Sequence, residues 1–345
     1  MSAMLDEIRE QPDWVANALA TERANVIALV DAMRERDVRL IMVAARGTSD
    51  NAATYAKYLL EIVAGMPVTS CAPSVFTLYD ARPRLGNALV LGISQSGQGT
   101  DIVHVLSAAR SAGALTACIT NSAGSPLAKV SDHVLLCHAG EERSVAAAKT
   151  YTTALAVVGM LVGHLAEDER YLVALDGVPE RMRGALAMEA EIARVVERYR
   201  YMLDCAVLAR GINHATALEA ALKMTETSYI GSEPYSGADF LHGPIAMVEA
   251  GYPCFLYAPE GRAYAFMLEL ALKIRERGGE MVIISSADEI LAQATTPLKV
   301  PVQVDELVSP FVYVLPAQML AYYLARTRGA DPDHPRGLTK VTLTR

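Results

Sequence analysis

The sequence predicts an α/β fold of parallel sheets covered by helices on both faces, in two tandem copies of one unit. Two observations predict it. Short apolar runs of strand length alternate with longer helical patterns from residue 38 onward. The alternation also returns at a fixed offset: Ala45-Arg46-Gly47 recurs as Ala209-Arg210-Gly211 and Gly97 recurs as Gly261, both 164 residues later. Two matches at one offset, inside the same strand and helix order, point to tandem duplication.

Taken in order, residues 1–35 form an N-terminal helical segment. The first unit, 36–166, alternates strand 38–44, helix 50–64, strand 67–71, helix 74–80, strand 88–93, helix 99–112, strand 114–120, helix 125–129 and strand 133–137, then ends in a long helix from Thr150 to His164. A helical linker, 167–200, leads to the second unit, 201–328. There the apolar runs Ala206 to Leu208, Pro253 to Ala258 and Glu280 to Ser285 repeat strands of the first. Residues 329–345, with Asp331-Pro332-Asp333-His334-Pro335-Arg336, form a tail expected to leave the domain as an irregular segment.

The apolar strand at 88–93 runs into Ser94-Gln95-Ser96-Gly97-Gln98-Gly99-Thr100-Asp101, a hydroxyl-rich turn opening a helix. Such a turn suits a phosphate, because the N–H groups at a helix start have no intrahelical partners and the helix dipole favours an anion. Ser94, Gln95, Ser96 and Thr100 add neutral donors, and no Lys or Arg lies within the turn. The same pattern also fits a polar turn with a capping serine. The second copy reads Pro259-Glu260-Gly261-Arg262 and lacks the serines, so the anion site is expected in the first half alone. Ligands of open parallel sheets bind beyond the carboxyl ends of the strands, where Arg46 to Asp50 and Ser94 to Asp101 both fall.

Composition sets the outer bounds. With 345 residues, 52% hydrophobic and 20% charged, the chain has material for two cored domains. A net charge of −8 without a basic block argues against nucleic acid and anionic membranes as partners. Cys71, Cys118, Cys137, Cys205 and Cys254 are scattered without a CxxC or zinc spacing, so reduced core thiols and no metal are expected. The acidic, amphipathic start lacks a signal-peptide pattern, and the longest apolar stretch recognised, Ala154 to Ala166, is too short to span a bilayer. A cytoplasmic location is the corresponding expectation.

Six segments, in order, resemble the sugar isomerase (SIS) family, and within it the isomerase part of glutamine-fructose-6-phosphate amidotransferase and its stand-alone relatives. They are Gly47-Thr48-Ser49, Ser94-Gln95-Ser96-Gly97, Ser144-Val145-Ala146-Ala147-Ala148-Lys149, Ala221 to Ile230, Asp239-Phe240-Leu241-His242-Gly243-Pro244, and Pro335-Arg336-Gly337-Leu338-Thr339-Lys340. The resemblance covers nearly the whole chain. It implies two SIS domains, each a doubly wound, flavodoxin-like sheet of five parallel strands, with a tail that closes over the sugar. It also implies a homodimer in which His242 serves the neighbour's site, and no cofactor. This sequence contains no glutaminase segment, so glutamine is not the expected nitrogen source.

Carried over by residue, the resemblance implies that Ser94, Gln95 and Ser96 bind phosphate and that Thr48 and Ser49 approach the sugar. Gly99 stands where the amidotransferase has a phosphate-binding threonine, with Thr100 one place later. Beside Val145, Ala147 replaces a sugar-facing serine. The Ser-Val-Ala-Ala pattern and the Lys340-Val341-Thr342 ending resemble the deaminase branch. Moving a carbonyl between C1 and C2 of a sugar phosphate needs a group that opens the ring, a base that carries the proton and a cation for the enolate-like intermediate. Glu226, Lys223, His242 and Lys340 supply those types. Lys223 and Glu226, at i and i+3 on one helical face, fit either a crevice pair or a solvated one. By resemblance, His242 opens the ring and Lys340 forms a Schiff base with the open-chain sugar, while Glu142 and Lys149 lie near the site.

Three functions fit: an isomerase/deaminase converting glucosamine 6-phosphate to fructose 6-phosphate and ammonia; an isomerase or aminotransferring enzyme on a related phosphosugar; and a non-catalytic sugar-phosphate sensor. All four catalytic residue types are present, which argues against the sensor.

Overall fold

A computed structural model describes residues 2–340. Ten strands form two sheets: β1 Leu40–Ala44, β2 Val68–Ser70, β3 Ala88–Ile93, β4 Leu115–Thr120, β5 His133–Leu136, β6 Asp204–Ala209, β7 Gly231–Ser236, β8 Pro253–Tyr257, β9 Glu280–Ser285 and β10 Thr296–Lys299. The first sheet has the order β2-β1-β3-β4-β5 and the second β10-β9-β8-β6-β7. Read from the other edge, the second order is that of the first, strand for strand. All pairings are parallel. Duplication and a doubly wound fold, read from the 164-residue offset, are therefore present in the topology.

The chain divides into two compact units, each holding one sheet. The first-sheet unit comprises residues 13–142, 149–176 and 339–340, and the second-sheet unit residues 2–12, 143–148 and 177–338. In the first-sheet unit, every side chain of β3 (Ala-Leu-Val-Leu-Gly-Ile) is buried, as a central strand covered on both faces requires. Gly92 belongs in it for space: a Cβ there would come within 3.0 Å of Leu106 on the covering helix Thr100–Ser111.

In the second-sheet unit, the helices His214–Ser228 and Ser309–Thr327 pack together, and the Thr227 and Ser228 hydroxyls both donate to the Ala321 carbonyl. The segment Glu306–Thr327 is long and apolar enough to cross a membrane, but 89% of its apolar window is buried within the fold. It, and not Ala154 to Ala166, is the stretch a membrane test selects. Pro316 and Gln318 interrupt its apolar pattern in the sequence, and in the structure Gln318 accepts a bond of 2.6 Å from Gln11.

Element positions follow the sequence reading to within a few residues. The first helix after β1 starts at Thr48, two residues early, because Gly47 at φ +55° turns the chain directly into it. The helix expected at 74–80 is the shorter Pro73–Thr77, and the linker is three α-helices, Glu169–Asp176, Val178–Leu186 and Glu189–Val195, followed by a 3₁₀ turn.

The tail corrects the sequence reading. It is irregular but fastened: the Asp333 carboxylate accepts from Ser2 Oγ (2.9 Å), Ala3 N (3.1 Å) and Met4 N (2.8 Å), capping the helix Ala3–Thr21. Farther along, the Arg336 guanidinium lies 3.8 Å from the Tyr229 ring centroid and the Arg336 N–H donates to the Tyr229 hydroxyl at 2.9 Å. Val341 and Thr342 of the deaminase-like ending lie outside the described residues.

Loss of a helix cap costs about 1 kcal/mol. Asp333→Ala should therefore lower stability by about that amount and speed proteolysis of the tail, read by urea titration and timed digestion. A variant with parent midpoint and parent cleavage rate would show that the cap holds nothing.

Candidate functional site

In the first-sheet unit, the carboxyl ends of β1 and β3 present the two turns singled out in the sequence. After β3 the backbone folds back on itself: Ser94 Oγ accepts from Gly97 N at 3.2 Å and Ser96 Oγ from Gln98 N at 3.3 Å. The turn is pinned to its neighbour, since Asn121 N and Thr120 Oγ1 donate to the Gln95 carbonyl at 2.9 and 3.2 Å. Gly97 sits at φ +62°, where a Cβ would fall 2.2 Å from Ser125 Oγ, so both conformation and space demand glycine. The following helix starts at Thr100 after Gly99, which has no side chain to cap it, and in the first turn Asp101 Oδ1 accepts from Ile102 N at 2.9 Å. Ser94, Gln95 and Ser96 are half-buried and Thr100 is exposed, while across at β1 Thr48 and Ser49 are half-buried.

The turn itself holds no cation, but one reaches its helix from β1. Arg46 Nε lies 2.9 Å from Asp101 Oδ2, and Asp101 is only 2% exposed. Asp101 therefore orients the helix through Arg46, tying the two turns together. The sequence, which shows them 55 residues apart, brings their two turns to one end of the sheet but does not pair Arg46 with Asp101. Cys71 is near Arg46, but burial pushes its thiol up to about 11, so it is no nucleophile near neutral pH. Burial likewise raises Cys118 to about 11 and Cys137, Cys205 and Cys254 to about 12, as expected of core thiols.

Also in this unit, Glu142 is buried and accepts from Thr150 N (3.0 Å), Thr150 Oγ1 (2.8 Å) and Lys340 Nζ (2.7 Å). The tail lysine is thus held by a carboxylate with no side-chain exposure. Lys149 is 3% exposed with its ammonium 5.1 Å from the Trp14 ring centroid, so neither Glu142 nor Lys149 is a surface charge.

In the second-sheet unit, the helix His214–Ser228 carries a buried charge cluster. Lys223 is 1% exposed, with Nζ 2.6 Å from Glu226 Oε2 and 3.5 Å from Glu219 Oε1. Glu219 is fully buried, whereas the Glu226 side chain is 24% exposed. Of the two arrangements the spacing allowed, the desolvated one holds. Glu226 alone of the three presents a carboxylate to solvent, as a base that must reach a substrate requires. Glu219 was missed in the sequence although it lies one helical turn before Lys223, where an i, i+4 pair forms. His214, at the start of this helix, has its pKa lowered by burial, with Asp239 opposing.

His242 stands on another element, exposed at the end of the short helix Gly237–Leu241, and Gly243 follows at φ +145°. The turn with Val145 and Ala147 belongs to this unit as well. Its start is clamped by Glu7, whose buried carboxylate accepts from Arg143 N at 2.5 Å and Ser144 N at 3.2 Å. Val145 and Ala147 stay half-buried. No feature of the sequence marks Glu7 as this clamp. Among the described residues no three His, Cys, Asp or Glu side chains are grouped for a metal ion.

A sequence model of the SIS domain matches residues 35–163 and 205–328. Glutamine–fructose-6-phosphate aminotransferase (isomerizing) of Methanothermobacter thermautotrophicus is 37% identical over 339 residues, covering 98% of this chain and 56% of its own length. The chain thus spans little more than half of that relative. Among solved structures, the C-terminal domain of glucosamine-fructose-6-phosphate aminotransferase from Francisella tularensis superposes with a TM-score of 0.88 at 27% identity, covering 97% of this chain and 98% of that one. A proposed phosphosugar isomerase from Silicibacter pomeroyi gives 0.87 at 35% identity, covering 96% and 100%.

Removing one member of a buried ion pair costs about 3–5 kcal/mol, while replacing both members with apolar groups is often neutral. Lys223→Met should destabilise the chain by about 3 kcal/mol or more, and Lys223→Met/Glu219→Leu should regain most of it. Equal losses in the single and double variants, measured by denaturant unfolding, would mean that the Glu219 contact carries no coupling.

Proposed function

Because this chain belongs to the SIS domain family, we propose that it is a phosphosugar aldose–ketose isomerase that deaminates glucosamine 6-phosphate. The observation that carries the reading is the Lys223–Glu226 pair: a buried ammonium 2.6 Å from a carboxylate that remains open on one side. Such a pair couples a mobile proton to a fixed positive charge. Glu226 takes the C2 proton of the opened amino sugar and returns it to C1, leaving an imine at C2. Lys223 stabilises the negative charge that develops in between. Water then adds to C2 and ammonia leaves, giving fructose 6-phosphate.

The other roles follow the chemistry of each residue. The phosphate goes to Ser94, Gln95, Ser96 and the backbone N–H groups that open the helix Thr100–Ser111, with Thr100 beside them. Thr48 and Ser49 meet the sugar hydroxyls, and Val145 and Ala147 its body. Lys340, resting 2.7 Å from Glu142, becomes a nucleophile toward the C2 carbonyl of the open-chain keto sugar only after passing on a proton, with Glu142 the carboxylate it touches; the Schiff base forms with loss of water, and water cleaves it again to release the ketose and the amine. His242, exposed on its loop, opens the ring, and we assign it to the site of a second copy in a homodimer. The deaminase branch is supported by the Ser-Val-Ala-Ala pattern, which includes Ala147, and by the Lys340-Val341-Thr342 ending. A second reading, amination of a ketose phosphate with nitrogen from elsewhere, is favoured by the 37% identity to an aminotransferase.

A panel of amino sugar 6-phosphates, with ammonia and ketose phosphate followed together, separates these readings. Glucosamine 6-phosphate should release both in equal amounts, and Glu226→Gln should cut turnover about 10²–10⁴-fold with binding retained. A Glu226→Gln variant that exchanges the C2 proton with solvent at the parent rate would remove Glu226 as the base. Binding without turnover of any member of the panel would leave the sensor.

For the shared site, mixing His242→Ala chains with Glu226→Gln chains should restore part of the activity that each lacks. If subunit exchange is demonstrated and no activity returns, His242 serves its own chain.

A further inference from the structure

The second-sheet unit repeats the phosphate turn in its backbone. At the 164-residue offset, Gly261 stands for Gly97, in a turn that leaves β8 and opens the helix Tyr264–Glu276. The serines are absent, yet the N–H groups are already engaged. Arg262 N donates to Glu306 Oε2 at 2.7 Å and Ala263 N to Glu306 Oε1 at 3.2 Å, so one carboxylate spans two donors at the helix start. Gly261 lies at φ +149°, and a Cβ there would fall 2.5 Å from Glu306 Cδ: the glutamate fills the hollow over the turn.

Two further observations belong to this corner. Tyr313 is fully buried; burial raises its pKa, and Ser286 is the polar group nearest in effect, with Glu260 behind it. Ser286 Oγ donates to Glu260 Oε2 at 3.0 Å, so a second carboxylate beside the turn is already taken up by a hydroxyl. Glu306 also stands 164 residues after Glu142. The two glutamates occupy the same place in their repeats but are used differently: Glu142 holds Thr150 and Lys340, Glu306 the turn.

We propose that Glu306 is a built-in anion, its carboxylate taking in the second repeat the oxyanion site that the substrate phosphate takes in the first. The carboxylate already fills the hollow and engages both donors, so a free phosphate would have to displace it, and the chain takes a single phosphate ester despite its duplicated fold. Removing the side chain exposes a latent site for a phosphate or similar tetrahedral oxyanion, with two backbone donors and the exposed Arg262 side chain at hand. This inference rests on the assignment of phosphate to the Ser94–Thr100 turn.

The test uses the full chain with inorganic phosphate as the probe, read by ¹⁵N shifts of the Arg262 and Ala263 amides and by calorimetric stoichiometry. Those amides should stay still in the parent. In Glu306→Ala they should shift saturably at millimolar phosphate, with one more phosphate bound per chain. Glu306→Gln keeps the shape without the charge and should titrate at a higher phosphate concentration than Glu306→Ala; it also serves if Glu306→Ala does not fold. Repeating the titration with Ser94→Ala/Ser96→Ala added separates the two claims. Persistence of the Arg262 and Ala263 shifts while the other phosphate is lost supports both. Unchanged binding of the other phosphate overturns the Ser94–Thr100 assignment and leaves the latent site standing. Folded Glu306 variants whose amides do not move overturn the inference.

Discussion

A parallel sheet delivers the carboxyl ends of all its strands to one edge and, through right-handed crossovers, the N-termini of the following helices with them. Both glycine turns of this chain depend on that constraint. In each sheet the edge carries uncommitted N–H groups and a positive dipole end, so each needs negative charge or hydrogen-bond acceptors there. The first sheet meets the N–H groups of its β3 turn with the short side chains of Ser94, Ser96 and Asp101, and the second supplies Glu306 from a distant segment. Gly97 and Gly261 are needed for the same reason, since only a residue without a Cβ lets another group come down onto the turn.

Acidic residues at partly or fully buried positions do most of the remaining positioning. Glu7 clamps the turn before Val145, Asp101 takes Arg46, Glu142 takes the tail lysine and Thr150, and Glu219 backs Lys223. A buried carboxylate is costly unless its oxygens find donors or a counter-charge, and each of these acids fixes one loop or one cation. Lys223 shows how the costs offset one another: its own charge is desolvated, and the two acids beside it compensate it while leaving Glu226 partly exposed.

Much of the fold was legible because periodicity and repetition report it directly. The apolar runs marked all five strands of the first sheet and three of the second, missing the edge strands β7 and β10, whose mixed sequences are not apolar runs, and one offset shared by Ala45-Arg46-Gly47 and Gly97 marked the duplication. The pairing of Lys223 with Glu226 was readable from helical spacing, though the spacing did not tell a buried pair from a wet one. What stayed hidden were contacts between residues far apart in sequence. Arg46 with Asp101, Glu7 with Arg143 and Ser144, and Asp333 with the first helix leave no local signature, because each partner alone reads as an ordinary surface charge. The apolar helix Glu306–Thr327 was passed over for a related reason, since its internal Pro316 and Gln318 look like breaks until their surroundings are known.

The chain order of the two units has a consequence for how the protein is made. Residues 13–142 hold all five strands of the first sheet, so that sheet can pair on the ribosome well before the second has been synthesised. The second-sheet unit also draws in residues 2–12 and 143–148, which leave the ribosome earlier and must wait for their partners. Its opening helix waits longest. The carboxylate that caps it, Asp333, is translated after both sheets, so the start of that helix frays throughout synthesis and is secured only as the tail emerges. In a nascent chain, an early helix with a late cap is a natural point of chaperone and protease surveillance.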